Sequence, residues 1–85
     1  MNNVSIIGML REVLDDYNRY FEYELPFSQD SGNVVPRIVV RYWTRQPKTR
    51  LIVLAENTRV AMHGHLENDE KFGTILLVEQ LEVIR

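Results

Sequence analysis

Basic and aromatic side chains recur on one face of a predicted strand. Arg37, Arg41 and Trp43 share one parity along this strand, whereas the opposite parity is apolar. Arg45 and Lys48 continue the positive charge just beyond it. Guanidinium and ammonium groups can bind phosphates, and an aromatic ring can stack on a base. The pattern is therefore compatible with a surface for single-stranded nucleic acid.

A second interpretation of the same residues is structural. Trp43 would then close one end of the fold, and Arg37 and Arg41 would form a solvated face whose aliphatic stems pack against the protein. The two interpretations differ in whether Trp43 belongs to the core.

Two further aromatic groups could add to such a surface. Tyr17 and Tyr20 fall outside the alternation expected of the core, so they are either stacking platforms or ordinary surface tyrosines. Lys71 and Phe72 form a cation–aromatic pair near the tip of a predicted hairpin. Side chains at the hairpin tips of small barrels can contact a bound nucleic-acid strand.

The chain carries no convincing catalytic constellation. His63 and His65 lie two residues apart, but a zinc site needs three or four ligands and a satisfied second shell. The serines have no evident histidine and aspartate partners for a triad. The sequence also has no glycine-rich phosphate loop. We therefore predict a non-enzyme with no catalytic residue, no cofactor and no metal site.

Composition limits the class of protein. The 85 residues, 45% of them hydrophobic, are enough for a single domain, 1–85. No apolar stretch approaches the ~20 residues of a membrane span, and no basic region precedes the first apolar run as a signal peptide would require. The absence of cysteine fits a reducing cytoplasm. With a net charge of −2, any nucleic-acid site must come from local clustering of positive charge.

Two short segments share an alternating apolar pattern with a glycine inside it. The segments are Val4–Leu10 and Val60–Leu66, with Gly8 and Gly64 at matching positions. Alternation predicts half-buried strands. A glycine inside such a strand marks a bend or a bulge, as at the corner of a barrel.

The remaining patterns complete the element order. Strand two is predicted over Tyr20–Phe27, with alternate residues in the core, and a loop rich in turn formers follows. Strand three is predicted over Arg37–Trp43, a helix within Thr44–Asn57, and a final hairpin from Arg59–Leu66 and Phe72–Ile84. Strand one covers Val4–Leu10, with an extension to Val13 left open, and the stretch Arg11–Arg19 reads as a polar loop. Three strands, a helix and two strands are the order of an all-β, five-stranded oligonucleotide-binding barrel.

Three segments resemble a known family. Asn3–Leu10 looks like the opening strand of bacterial single-stranded DNA-binding proteins, and Asn57–Leu66 looks like their fourth strand. Ile75–Ile84 is similar to their closing strand, including that of the primosomal replication protein B branch. The resemblance implies the barrel and sequence-tolerant binding of single-stranded DNA in replication, repair or recombination.

The chain also departs from this family. Glu22 and Glu24 in strand two, preceded by Asp15 and Asp16, would repel phosphates if they lay on the binding face. The chain ends at Arg85 without the acidic tip through which replication members of the family recruit partners. Two alternatives therefore stay open: a protein-interaction barrel that binds no nucleic acid strongly, and an RNA-binding barrel.

Self-association is the last expectation. Ile7 has the opposite parity to its apolar neighbours Val4 and Ile6 and would otherwise expose a large β-branched side chain. The resemblance places subunit contacts on strand one, so we expect Ser5 and Ile7 at the interface. A homodimer is favoured over a tetramer, because the sequence identifies no second apolar face.

Overall fold

A computed structural model of the chain describes residues 3–24 and 36–85 and shows a closed five-stranded barrel. The order of neighbours around the barrel is β1-β2-β3-β5-β4, with β3 and β5 parallel and the other pairs antiparallel. The elements are β1 (Asn3–Val13), β2 (Asn18–Tyr23), β3 (Arg37–Tyr42), α1 (Arg50–Val53), β4 (Arg59–Asp69) and β5 (Gly73–Val83). The predicted oligonucleotide-binding barrel, with its helix between the third and fourth strands, is confirmed.

Several predicted boundaries are wrong. The polar residues after the first apolar run continue β1, and β2 begins at Asn18, so the loop between these strands is only residues 14–17. β2 ends at Tyr23. The predicted continuation of this strand through Leu25 to Phe27, and the loop predicted after it, lie outside the described residues.

The helix is much shorter than the segment Thr44–Asn57. It spans four residues, and Leu54 directly after it is extended. Lys48 adopts a positive φ of 54°, which breaks any helix that starts near Pro47. Asn57 does take the predicted left-handed conformation, with a φ of 72°, but in the turn before β4 and not at the end of the helix.

The barrel interior is filled by alternate residues of the strands together with one side chain of the helix. Its buried cluster consists of Leu10, Phe21, Val40, Leu51, Val60, Met62, Leu76 and Val78. Ile38 and Tyr42 pack against this cluster, as the alternation in β3 predicts. Val39 has the outward parity but is only 6% exposed, next to its β5 partner Ile75, so the outer side of β3 is itself partly buried.

Arg19 is the most unexpected interior residue, at 1% exposure. Its Nε and Nη2 donate to the backbone oxygen of Arg11, and its Nη1 donates to those of Leu51, Ile52 and Leu54. A buried charge is costly unless its hydrogen bonds are satisfied, and these carbonyls satisfy them. Burial lowers the pKa of Arg19, opposed by the charge of Glu56. The guanidinium thus fastens α1 to the end of the barrel.

The glycines of β1 and β4 lie where neighbouring strands come very close. A Cβ on Gly8 would lie 2.2 Å from the carbonyl oxygen of Glu22, and one on Gly64 would lie 1.9 Å from that of Leu77. Gly64 also adjoins the only register shift between β4 and β5 in the described residues. Neither glycine has a positive φ, which only Gly73 shows among the described glycines. Close backbone approach therefore explains both residues.

Candidate nucleic-acid interface

A groove of about 410 Å³ opens at one end of the barrel. Three segments form it: the loop between β1 and β2, the end of β3 with the residues after it, and the end of β4. Its lining includes Tyr17, Asn18, Arg41, Thr44, Arg45 and Asp69. Three of the predicted site residues, Tyr17, Arg41 and Arg45, therefore meet in one place.

The loop that presents Tyr17 is held by its own aspartate. Asp15 Oδ1 accepts hydrogen bonds from the backbone N–H groups of Tyr17 and Asn18, both at 2.8 Å. The side-chain amide of Asn18 donates to both carboxylate oxygens. Partial burial acts to raise the pKa of Asp15, but these hydrogen bonds outweigh it and lower the pKa. Tyr17, 42% exposed, projects from a well-defined turn.

Arg41 lies in the groove but is not available as a simple phosphate ligand. Its Nε donates to Asn18 Oδ1 at 2.7 Å, and its Nη2 donates to Asp69 Oδ1 at 2.9 Å. The hydrogen bond from Arg41 lowers the pKa of Asp69, slight burial opposes it, and the N–H groups of Phe72 and Lys71 add to the lowering. The Asp69 carboxylate is thus negatively charged, and it occupies one N–H donor of the Arg41 guanidinium.

Trp43 is 57% exposed, which excludes the interpretation that it closes the barrel as a core residue. Its backbone N–H donates to the carbonyl oxygen of Val78 at 2.9 Å, so its position is fixed by the sheet. Trp43 lies between Tyr42 and Thr44, which both line the groove. Its ring is therefore an exposed aromatic surface, on a residue next in sequence to the groove lining.

Two more predicted residues reach this end of the barrel through the turn between β4 and β5. Asp69 Oδ2 accepts from the N–H groups of Lys71 and Phe72 at 3.0 and 3.1 Å. The Nζ of Lys71 lies 5.3 Å from the centroid of the Phe72 ring, and the positive charge of Lys71 helps to lower the pKa of Asp15. The hairpin tip thus adjoins the loop between β1 and β2.

Lys48 joins the same end through its backbone, because its N–H donates to the carbonyl oxygen of Asp16 at 2.9 Å. Its side chain is exposed. The loop after β3 is therefore tied directly to the loop after β1.

Arg37 and Tyr20 lie elsewhere. They share the outer face of the barrel with Arg41, but Arg37 begins β3 and so lies about 13 Å from Arg41, at about 3.3 Å per residue. The Arg37 guanidinium covers the Tyr20 ring at 4.4 Å and pairs with Glu12. This second cation–aromatic cluster has an acidic partner, so it is not part of the groove.

A second groove carries the residues expected in subunit contact. A groove of about 550 Å³ is lined by residues of β1, β4 and β5, among them Ser5, Ile7, Ala61 and His63. Ile7 is 41% exposed, and Ser5 Oγ lies 2.9 Å from His63 Nδ1. A partly apolar strand face is thus open at this site.

The two histidines of β4 face different partners. His65 lies between the carboxylates of Glu79 and Glu67, at 2.9 and 3.1 Å, whereas His63 contacts Ser5. Across residues 3–24 and 36–85, no cluster of three histidine or carboxylate residues has a geometry for holding a metal ion. The same residues include no helix that is long and apolar enough to cross a membrane.

Sequence reasoning missed Asn18 and Asp69, the two polar residues that hold Arg41. Asp69 is recognisable in the sequence as part of a turn, but nothing in the sequence indicates that it pairs with an arginine 28 residues away. Asn18 carries no comparable signal. Comparison with protein-family models and with curated proteins finds no match for this chain, so the groove itself is the guide to function.

Proposed function

We propose that this chain binds single-stranded DNA, without strong sequence preference, in the groove at the end of its barrel. The observation that carries the proposal is a groove that brings the exposed ring of Tyr17 together with the cationic side chain of Arg45, with the exposed Trp43 next in sequence to the lining residues Tyr42 and Thr44. Aromatic stacking and backbone charge are the two terms on which sequence-tolerant binding depends. In barrels of this order, the face of strands two and three and the loops at this end are common sites for oligonucleotides.

Two further observations support the proposal. Thr44 lines the groove, and its Oγ1 is buried without a hydrogen-bond partner within the part of the chain described. A χ1 rotation that brings this hydroxyl to the surface of the groove would allow it to donate to a phosphate oxygen. The resemblance of β1 and β4 to bacterial single-stranded DNA-binding proteins favours the same function. Because the chain has no cysteine, the cytoplasm is the location we propose.

The balance of positive and negative side chains predicts a modest affinity for single-stranded DNA. Among the described residues, four arginines form ion pairs with carboxylates, namely Arg11, Arg37, Arg41 and Arg59. Arg45, Lys48 and Lys71 have no ion-pair partner in that set. Arg45 lines the groove, and the backbone N–H groups of Lys48 and Lys71 donate to Asp16 and Asp69 at the same end of the barrel. Three phosphate contacts correspond to a slope of about −2 in log K against log salt, since each contact contributes about 0.7.

Anisotropy of labelled oligo(dT), titrated at several salt concentrations, tests this proposal. Trp43→Ala should weaken binding by about tenfold or more, because stacking contributes roughly 1–3 kcal/mol per base. Trp43→Phe is the matched control, which keeps an aromatic face and should retain most of the affinity. Equal losses in the two variants, with folding intact, would contradict stacking at this position. Competition by matched RNA oligomers separates DNA binding from RNA binding.

We also propose that the protein is a homodimer joined through β1. The exposed Ile7 and the adjoining groove between β1, β4 and β5 favour this face. Pairing of two barrels would cover the apolar surface and would present two grooves to one strand, which raises avidity without a new contact.

A second candidate function is binding of another protein without binding of nucleic acid. The ion pairs favour it, because four arginines paired with carboxylates are not free to contact phosphates. Failure to shift an oligonucleotide at low salt, together with a stoichiometric protein partner, would favour this alternative.

A further inference from the structure

The Arg41–Asp69 ion pair lies inside the groove and has the geometry of a phosphate contact. Asp69 Oδ1 accepts from Arg41 Nη2 at 2.9 Å, and both residues line the groove. The Arg41 and Asp69 side chains are 25% and 20% exposed, so water screens the pair only partly. A carboxylate oxygen here occupies the donor that a phosphate oxygen would use.

We propose that Asp69 is an internal competitor for phosphate and that a bound strand takes its place on Arg41. The inference rests on the proposed function of the groove. Without a ligand, the carboxylate neutralises Arg41 and adds a negative charge at the position that a phosphate must approach. Binding therefore exchanges one anion for another, and Arg41 contributes little to net affinity until the exchange occurs.

The geometry allows this exchange without rebuilding the turn. Asp69 uses Oδ1 for Arg41 and Oδ2 for the N–H groups of Lys71 and Phe72. The turn contacts can therefore persist while Arg41 changes its partner. Asn18 holds Arg41 Nε at 2.7 Å and keeps the guanidinium at the groove during the exchange.

The sequence expectation that acidic residues oppose binding can now be assigned to one position. Glu24 pairs with Arg59 at 2.6 Å, and Glu22 lies 3.7 Å from Arg11. Asp15 is held by the N–H groups of Tyr17 and Asn18. None of the four acidic residues named from the sequence lines the groove, whereas Asp69 does.

Oligo(dT) binding by Asp69→Asn tests the inference, with Glu70→Gln as the matched control. Asparagine keeps an oxygen acceptor for the turn N–H groups but cannot form the ion pair with Arg41. We expect binding about threefold to fivefold tighter, in the range set by partly exposed ion pairs, and a salt slope steeper by about 0.7. Glu70→Gln removes the same charge from the same exposed turn and should change affinity far less.

The possible outcomes are distinct. If the wild-type chain binds and Asp69→Asn binds equally or more weakly, the competitor role is wrong and Asp69 instead orients Arg41. If both variants tighten equally, only net charge matters, which also overturns the inference. If neither the wild type nor the variants bind, the proposed function fails first. Asp69→Ser, whose hydroxyl can still accept from the turn, replaces Asp69→Asn if that variant does not fold.

Discussion

At the scale of single residues, Gly64 lies where β4 and β5 approach more closely than any side chain allows. A methyl group there would meet the carbonyl oxygen of Leu77 at 1.9 Å, an atom that cannot move without shifting the strand. We expect Gly64→Ala to lower the free energy of unfolding by about 1–3 kcal/mol, as overpacking does. Urea denaturation measures the change.

Gly73 provides the control, because its constraint is of a different kind. Its φ is 74°, and a Cβ added there would meet no atom within 4 Å. Asparagine tolerates this backbone region, so Gly73→Asn should cost less than about 1 kcal/mol. Unchanged unfolding in Gly64→Ala, or a larger loss in Gly73→Asn, would show that close approach is not the reason for the glycine in β4.

At the scale of elements, Arg19 holds the short helix against the barrel. Arg19→Met would leave the carbonyl oxygens of Leu51, Ile52 and Leu54 without their donor. Buried unpaired acceptors are costly, so we expect a loss of about 3 kcal/mol in the free energy of unfolding. Arg50→Met changes an exposed arginine of the same helix and should stay within about 0.5 kcal/mol. Similar small effects for both variants in urea denaturation would contradict the anchoring role.

The elements also show what could be predicted from sequence. The strands were recognisable because one face of each is buried, as the alternation of Ile38, Val40 and Tyr42 in β3 illustrates. The sequence predicted a helix that is too long, because tertiary contacts hold Leu51 in place and no long helical pattern is needed. Arg19 could not be assigned to the interior, since only the folded chain brings its carbonyl partners together.

The candidate site was predictable to a similar degree. The outward parity of Arg41 followed from the pattern of β3, whereas the sequence left open whether Trp43 is exposed or closes the barrel. The separation of Arg37 from the groove depends on its ion pair with Glu12, and the restraint on Arg41 depends on Asp69. Such long-range pairs leave no signal in a single sequence.

At the scale of the whole molecule, stability should fall in acid. The pKa values of four carboxyl groups are lowered in the folded chain, from ordinary values of 4.5 for Glu12 and Glu24 and of 3.8 for Asp15 and Asp69. Folding thus favours their charged forms. The stability they contribute is fully present above these ordinary values and is lost as the pH falls through the lowered ones.

Urea midpoints measured from neutral pH downward check this prediction. The urea midpoint should decrease as the pH is lowered past the ordinary carboxyl pKa values of 4.5 and 3.8. Because the hydrogen bond from Arg59 lowers the pKa of Glu24, Glu24→Gln should give a flatter profile. A urea midpoint that stays constant or rises in acid would contradict the predicted direction of the pH dependence.

Self-association is the second property of the whole molecule that can be measured. Sedimentation at micromolar concentration should give the mass of two chains for the wild type and of one chain for Ile7→Glu. Val13→Glu is the matched control, because Val13 is also an exposed apolar residue of β1, at 46%, but lies outside the groove that Ile7 lines. A wild-type mass near one chain, or equal dissociation by both variants, would rule out this interface.

Binding of a single strand beside Trp43 can be followed directly, because Trp43 is the chain's only tryptophan. Titration of tryptophan fluorescence with oligo(dT) therefore reports directly on the proposed groove. We predict saturable quenching that weakens as salt is raised, with a slope of about −2 in log K against log salt. Unchanged fluorescence at low salt, together with no gel shift, would contradict single-strand binding by this barrel.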